Sequence, residues 1–305
     1  MALQTNGVVL PKHVASAITT KVKDQSTIAA LSPARPEIFA DEAYLVFPGA
    51  SEAEVVAEGG QKGYYAQTVT PVVANRLTIQ TTTRVSNQLK WADEDNQLEI
   101  VSNIIEDQSG AMGRALDYIV YHAVSPKTGA SISGATALTA MSDVNKAYLG
   151  AAIASATQAQ MLASIDSMAE AVNDGYEVNG IALSKVYANA LRKLRNTDGI
   201  RMFPEIPLNL KVGSLEGIPA ACSGTVNGRL IATPTGIHAI MGDFSLIRWG
   251  LVRDIRAELI EYGDPDGQGD LKRLNQVAYR TEAVLAYAVL DAAAFAILND
   301  GTKPA

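Results

Sequence analysis

The stretch DEDNQLEIVSNIIEDQSGAMGRALDYIVYH, residues 93–122, carries the clearest helical pattern in this sequence. Its apolar residues, together with Ala123 just beyond its end, are spaced three, four or seven positions apart. They are Leu98, Val101, Ile105, Met112, Leu116, Ile119 and Ala123. A helix of this length extends roughly 45 Å at about 1.5 Å per residue. The pattern therefore predicts a spine helix over 93–122, with an apolar face for other elements and with the acids at 93–95 stabilising its positive N-terminal end.

Strand patterns lie on both sides of this segment. Upstream, apolar or β-branched residues alternate with polar ones over residues 72–85, which predicts a half-buried strand. Downstream, residues 251–260 and 275–290 predict two long strands around a polar turn at 263–270. Long strands therefore precede and follow the spine helix in the chain.

The middle of the chain alternates helix and strand. Residues 157–172 have helical spacing, and 181–183 is a short apolar strand. Ser184 is a suitable N-cap for a second helix over 185–196. This alternation predicts an α/β section.

The N-terminal part of the chain predicts an arm and a loop. Prolines interrupt regular structure within residues 1–50, at Pro11, Pro33, Pro36 and Pro48. Within residues 51–70, an acidic, glycine-bearing stretch separates the apolar pair Val55-Val56 from Tyr64-Tyr65. This pattern predicts an extended two-stranded loop that turns at Gly59 and Gly60. Neither segment buries much surface against itself, so both are expected to need a partner.

The composition predicts a soluble protein that does not neutralise nucleic acid. The chain has 305 residues, of which 48% are hydrophobic, enough for one large or two ordinary domains. The formal net charge of -7 opposes binding to phosphate backbones, since that affinity comes from Lys and Arg releasing counterions. The single Cys222 excludes an internal disulfide and is most simply a small buried hydrophobe. Without a leader or a long apolar run, we expect a cytoplasmic protein that is neither exported nor membrane-spanning.

Charge is concentrated in two blocks of opposite sign. Residues 93–122 hold seven acids and one base, a net of -6, whereas residues 185–201 hold five bases and one acid, a net of +4. Complementary patches favour association and fix its register, so the blocks could pair across copies of the chain. They could equally be two solvated helix faces.

No set of residues forms a recognisable catalytic, cofactor or metal site. The histidines, His13, His122 and His238, lie in different sections, and no Gly-x-Ser-x-Gly elbow accompanies them. Segment 59–63 lacks the spacing and the hydroxyl of a phosphate loop. Residues 264–275 place acids at the first and third positions of a calcium loop, but the twelfth is asparagine, so a solvated turn is favoured over a calcium site. We therefore predict that the protein is not an enzyme.

The order of these elements, together with several short stretches, is similar to that of one family. The stretches are Leu191-Arg192-Lys193-Leu194-Arg195, Asp198-Gly199, Arg201-Met202-Phe203, Leu215-Glu216-Gly217-Ile218-Pro219, Gly242-Asp243-Phe244, Arg280-Thr281-Glu282 leading to Asp291, and Ala294-Phe295-Ala296-Ile297-Leu298. Over about residues 46–298, the chain resembles the major capsid proteins of tailed bacteriophages with the HK97 fold.

This resemblance implies an α+β, HK97-like fold. The implied divisions are an N-terminal arm (1–50), an extended β-hairpin loop or E-loop (51–72), a discontinuous peripheral domain with the spine helix (73–124 and 251–298), an axial α/β domain (125–250) and a C-terminal tail (299–305). The loop is then expected to lie over a neighbouring subunit, and the axial domain to face the centre of a capsomer.

The resemblance also implies a structural function. Copies are expected to form hexamers and pentamers of an icosahedral head that encloses double-stranded DNA, in a virion assembled in the host cytoplasm. The implied partners are the chain itself, a separate scaffolding protein, a portal and decoration proteins, with no sequence-specific DNA binding, no membrane and no cofactor. The alternatives are an encapsulin-like nanocompartment shell and, in a different class, a soluble cytoplasmic α+β enzyme.

Two family features do not transfer directly. Some members carry a long N-terminal scaffolding segment that a protease removes, and here the arm begins almost at Met1, which favours a separate scaffolding protein or a segment absent from this sequence. Some members join a loop lysine to an asparagine of a neighbour, which requires a neutral, desolvated lysine. Lys62 is the only lysine in the loop. An ordinary solvated side chain is expected for it, with cross-linking as the alternative.

Overall fold

The computed structural model describes residues 26–34, 43–46, 53–64, 69–96, 100–228 and 235–304. In chain order, its helices are α1 (Thr27–Leu31), α2 (Asn87–Asn96), α3 (Ile100–Asp117) with a π-helical continuation (Tyr118–His122), α4 (Gln158–Asn173) and α5 (Lys185–Lys193). Its strands are β1 (Ala43–Val46), β2 (Thr70–Val73), β3 (Asn75–Ser86), β4 (Asn145–Tyr148), β5 (Gly180–Ser184), β6 (Ser214–Leu215), β7 (Ile218–Ser223), β8 (Ile237–Gly242), β9 (Ile247–Ile260), β10 (Gln276–Val289) and β11 (Phe295–Asn299). Short 3-10 turns cover Leu138–Ala140 and Phe244–Leu246.

These strands form three sheets. β1 and β2 make an antiparallel pair, and β3, β10 and β9 make an antiparallel sheet with β10 in the centre. The third sheet has six strands in the order β4-β11-β8-β5-β7-β6. In this sheet β11 is parallel to β4, and β5 is parallel to β7. The predicted α+β class is confirmed, as are the long strands before and after the spine.

The helical region of the spine begins earlier than predicted. α2 starts at Asn87, directly after β3, where the Ser86 hydroxyl accepts a hydrogen bond from the Leu89 amide at 3.2 Å. α3 follows, and residues 97–99 lie outside the described residues. The acids at 93–95 are therefore in the last turns of α2 and do not mark a helix start. The predicted start at 93 is wrong because the capping serine lies upstream, at the end of a strand.

α3 is fixed to the three-stranded sheet by a buried glutamine. Gln108 is 2% exposed. Its side-chain amide donates to the Thr83 hydroxyl at 3.0 Å and to the Tyr279 carbonyl at 2.9 Å. Its side-chain oxygen accepts from the Thr281 hydroxyl at 2.6 Å. All the polar atoms of this amide are thus paired, as burial requires, and they tie the helix to β3 and β10.

The last strand, β11, belongs to the six-stranded sheet. β11 lies between β4 and β8, whereas the prediction grouped residues 251–298 with the spine helix. Four of the five residues of β11 are buried, which suits a central strand covered on both faces. The predicted tail is also attached to this sheet, because the Asp300 amide donates to the Gly236 carbonyl at 2.8 Å.

α4 and α5 pack side by side on one face of the six-stranded sheet, in a shared apolar cluster. α4 begins with a capping box at Thr157, and α5 begins at Ser184, whose hydroxyl accepts from the Tyr187 amide. The two helices meet where the hydroxyl oxygens of Tyr187 and Ser164 are 2.8 Å apart. The predicted elements of this section are confirmed, except that α5 ends earlier, at Lys193.

Residues 26–32, predicted to be part of an arm that needs a partner, are built into the core of their own chain. Ile28 of α1 is 0% exposed. The Ser32 hydroxyl donates to the Ile247 carbonyl at 2.9 Å, and the Ser32 carbonyl accepts from the Trp249 indole at 3.0 Å. The prediction is wrong here because this segment has its polar and apolar partners in the same chain. Apart from β1 and the residues flanking α1, the rest of the predicted arm lies outside the described residues.

A buried carboxylate at the end of α3 holds this segment in place. Asp117 is 0% exposed and accepts five hydrogen bonds. The hydroxyls of Ser26 and Thr27 donate at 2.5 and 3.0 Å, and the amides of Thr27 and Ile28 donate at 3.0 and 3.2 Å. The fifth donor is the Thr225 hydroxyl at 2.5 Å. Burial raises the pKa of Asp117 above its ordinary value, and these hydrogen bonds act in the opposite direction.

Replacing Asp117 by asparagine is expected to destabilise the unassembled chain by about 3 kcal/mol, because an amide has one acceptor oxygen and leaves buried donors unpaired. Urea unfolding of the monomer measures the loss. Asp107→Asn, an exposed position on the same helix, is the matched control and should change the free energy of unfolding by less than about 0.5 kcal/mol. Equal midpoints for wild type and Asp117→Asn would contradict this role.

An arginine from β3 holds the polar turn between β9 and β10. The Arg84 guanidinium donates to the carboxylates of Asp264 and Asp266 and to the Gly269 carbonyl, with an Nη2–Oδ1 distance of 2.9 Å to Asp264. The hydrogen bond to Asp266 raises the pKa of Arg84, and the same contact lowers the pKa of Asp266. The acids that resemble calcium ligands are thus paired with a cation of their own chain, as expected for a structural turn.

The turn between β9 and β10 is expected to open more often when the contact between Arg84 and Asp266 is removed. Because the folded-state pKa of Asp266 is lowered, the contact contributes fully above the ordinary aspartate pKa of about 3.9 and is lost as the pH falls through the lowered value. Arg84→Ala is expected to speed hydrogen exchange at the Gly269 amide, which donates to Asp264 at 2.9 Å. Wild type at acidic pH should show the same change after correction for intrinsic exchange. Lys127→Ala, an exposed cation elsewhere, is the control. Unchanged Gly269 exchange in Arg84→Ala would refute the assignment.

Candidate assembly surfaces

The predicted extended loop lies between two short paired strands, β1 and β2, which we call its stem. β1 and β2 pair along their full length of four residues. The described tip, residues 53–64, contains no strand, turns at Glu58 and Gly59, and is exposed at every residue. Its two sides are joined by the Gly63 amide, which donates to the Glu54 carboxylate at 2.9 Å. Residues 53–64 of the predicted loop therefore form no strand pair, and the pairing lies partly outside the predicted bounds because β1 belongs to the predicted arm.

Two large apolar side chains of the tip are almost completely exposed. Val55 is 99% exposed and Tyr64 is 94% exposed. Burying one such side chain stabilises by about 1.5–3 kcal/mol, so their exposure in a single chain is unfavourable. Exposed aromatic residues are also typical anchors of protein–protein contacts. The tip is therefore a surface suited to another protein chain.

Lys62 lies in the same tip. Its side chain is exposed, and no ion pair to it is found within the described ranges. A lysine reacts with an amide only when it is desolvated and neutral. The single chain does not provide that environment, so a solvated Lys62 stays the favoured interpretation.

The histidines have structural contacts. Nε2 of His122 lies 3.0 Å from the Thr225 carbonyl oxygen, and burial lowers the pKa of this histidine. Nε2 of His238 lies 3.1 Å from the Asp300 carboxylate. His13 lies outside the described residues. The two described histidines thus connect separate segments of the chain.

The single cysteine and the acidic side chains form no conventional site among the described residues. Burial raises the pKa of Cys222 to about 11, so its thiol is protonated at neutral pH and is not an activated nucleophile. Within the part of the chain that the structure describes, no group of three or more His, Cys, Asp and Glu side chains is placed to hold a metal ion. Among the same residues, no helix combines the length and apolar character needed to cross a membrane.

The two charge blocks are only partly on the surface. Asp117 of the acidic block is buried, whereas Asp107 is exposed on α3. In the basic block, the Arg195 guanidinium donates to the carbonyls of Arg192 and Leu194, both at 2.9 Å, and so closes the end of α5. The exposed cations of the block are Lys185, Lys193 and Arg201. Counting charge along the sequence thus overstated both blocks.

Two polar residues of the spine, Gln108 and Asp117, are buried in the core. The charge count placed Asp117 in the acidic block, and the sequence pattern did not single out Gln108. The available signal was their position inside the apolar repeat, where Asp117 directly follows Leu116. That signal is weak because aspartate and glutamine are mostly exposed in proteins.

Comparison with known proteins gives consistent matches over nearly the whole chain. The sequence profile of the phage capsid family matches residues 6–300. A solved structure from Mycobacterium phage Ogopogo is 32% identical with a TM-score of 0.77, over 91% of this chain and 92% of that chain. One from Gordonia phage Cozz is 30% identical with a TM-score of 0.72, over 92% and 87%. No curated protein sequence matches.

A more distant likeness concerns the fold alone. The capsid of an empty GTA particle, computed with C5 symmetry, is 14% identical with a TM-score of 0.60, over 99% of this chain and 94% of that chain. Together, the matches show that the chain has an HK97-like fold. With the profile match, they indicate a structural and non-enzymatic protein. The chain belongs to the phage capsid family and is a structural capsid protein.

Proposed function

We infer that copies of this chain associate as hexamers and pentamers that close into an icosahedral shell around double-stranded DNA. The observation that carries this inference is the exposed tip at 53–64, with Val55 and Tyr64 in solvent in the single chain. A neighbouring copy supplies the surface that buries these side chains. A loop of one copy lying on the next makes a head-to-tail contact, and such contacts close into rings when the rotation between neighbours closes on itself.

The two larger sheets divide the subunit within this shell. We assign α3 and the three-stranded sheet to the peripheral domain, and the six-stranded sheet with α4 and α5 to the axial domain at the centre of a ring. β11 goes with the axial domain in this assignment, because it pairs with β4 and β8.

The charge of the chain favours enclosing DNA over binding it tightly. A formal net charge of -7 supplies few cations to neutralise phosphates, so DNA can be packed against the wall and released from it. The proposed location is the virion, with assembly in the host cytoplasm. The proposed partners are a separate scaffolding protein, a portal and decoration proteins, without sequence-specific contacts to DNA.

Particles of the purified protein test the assembly directly. Electron microscopy is expected to show rings of five and six subunits and closed shells, and particles from producing cells should protect double-stranded DNA from nuclease. Shells that contain a folded enzyme and no DNA would instead indicate a nanocompartment. Monomers that never form rings or shells would refute the proposal.

Removing the loop should separate folding from assembly. Deleting residues 52–65 and joining the ends with a short Gly-Ser linker is expected to leave a folded monomer, because the described tip is exposed at every residue. The same deletion should abolish shells, since the contact with the neighbouring copy is lost. Thermal unfolding and electron microscopy measure the two effects. Normal particles from the deletion would rule out the proposed role of the loop.

A finer pair of variants tests the apolar contact. Val55→Ser with Tyr64→Ser should leave the monomer's free energy of unfolding within about 0.5 kcal/mol of wild type, because both side chains are already exposed. Assembly should weaken strongly. Val55→Ile with Tyr64→Phe keeps the apolar surface and should retain assembly, which makes it the matched control.

A further inference from the structure

α4 and the residues just after it carry acids that are not paired in the single chain. They recur every three or four residues: Asp166, Glu170, Asp174 and Glu177. All four are exposed, and those on α4 lie opposite its buried side chains. Within the described residues none of them forms an ion pair or a side-chain hydrogen bond. We call this set the acidic face.

A second surface of the same helical layer is basic and partly apolar. Lys185, Lys193 and Arg201 are exposed, and the described part of the chain provides no ion pair for them. Next to them in the chain, Val186 is 46% exposed and Ile200 is 64% exposed. These five residues are the basic face. A protein surface that binds the basic face would be stabilised both by attraction to its charges and by burial of Val186 and Ile200.

Part of the basic face is separated from the acidic face within one subunit. The segment after α5 contacts the beginning of α4, where the Gln158 side-chain amide donates to Sδ of Met202 at 3.2 Å. The acids begin further along α4, at Asp166, which is about 12 Å from Gln158 at about 1.5 Å per residue. Arg201, next to Met202 in the chain, is therefore at the other end of α4 from the acids.

We propose that the acidic face of one copy binds the basic face of the next. The faces are different, so each copy uses one face for each of two neighbours, and the contact is head-to-tail. The proposal rests on the ring assembly inferred above and identifies a contact that closes the ring. It also replaces the pairing suggested by charge counts, because the acidic partner of residues 185–201 is then α4 and not the spine.

Charge reversal tests the contact. One variant, Asp166→Lys with Glu170→Lys, Asp174→Lys and Glu177→Lys, takes the acidic face from a charge of -4 to +4. Another, Lys185→Glu with Lys193→Glu and Arg201→Glu, takes the charge of the basic face from +3 to -3. Each brings like charges together and is expected to lower the assembled fraction by about tenfold or more. The variant that combines both sets of changes restores opposite charges and should assemble within about threefold of wild type. Sedimentation velocity measures the assembled fraction.

Mixing the two reversed variants gives a sharper result. Each reversed face then meets a complementary face only on the other variant, so the two kinds of subunit must alternate around a ring. Alternation closes only when the number of subunits is even. Native mass spectrometry of the mixture should therefore show mixed hexamers and no pentamers.

The control reverses two exposed acids elsewhere, Asp107→Lys with Asp143→Lys. It should assemble like wild type, and thermal unfolding should be similar for every variant. An equal loss in this control, or no rescue in the combined variant, would overturn the proposed contact. Normal assembly of all variants would overturn it and leave the capsid function standing. A wild-type chain that forms no rings would overturn both.

Discussion

At the end of the spine, the Asp117 carboxylate accepts hydrogen bonds from α1 and from Thr225, which lie far from it in sequence. A buried carboxylate without such donors is strongly unfavourable, so neither segment can leave without exposing the charge to an apolar core. The same core cluster contains side chains from α1, α3, the three-stranded sheet and the six-stranded sheet. The Asp117 contacts therefore hold α1 and the segment after β7 against the end of the spine, next to the core that both larger sheets share.

This arrangement combines a fixed body with contact surfaces that have no partner in the single chain. Gln108 and Asp117 join the spine to both sheets through fully paired polar groups, and Arg84 closes the far turn of β9 and β10. In contrast, the tip at 53–64 and the charged faces of the α4–α5 layer are exposed. A shell protein needs both properties. Its body must keep its shape under load from many neighbours, and its contacts must form only when those neighbours arrive.

The sequence predicted well the parts that follow from local rules. The alternation in β3, the helical spacing of residues 157–172, the capping signal at Ser184 and the long strands around the polar turn all depend on neighbouring residues, and each is confirmed. It failed where the deciding contact is distant in sequence. Residues 26–32 looked like an unsupported arm because Asp117 is about ninety positions away. Likewise, the acidic block was overcounted because a charge's burial depends on donors that periodicity does not reveal.

The position of β11 has a consequence for the order of events in the cell. Among the described strands it is the last to be synthesised, yet it lies inside the six-stranded sheet and pairs with both β4 and β8. Until β11 has been synthesised, the sheet is incomplete and the strands β4 and β8 each have an edge that residues 295–299 later fill. Pairing across about 150 positions is slow to form, since the long intervening chain must first be brought together. The six-stranded sheet is thus among the last parts of the fold to be completed, and any surface that depends on it forms late.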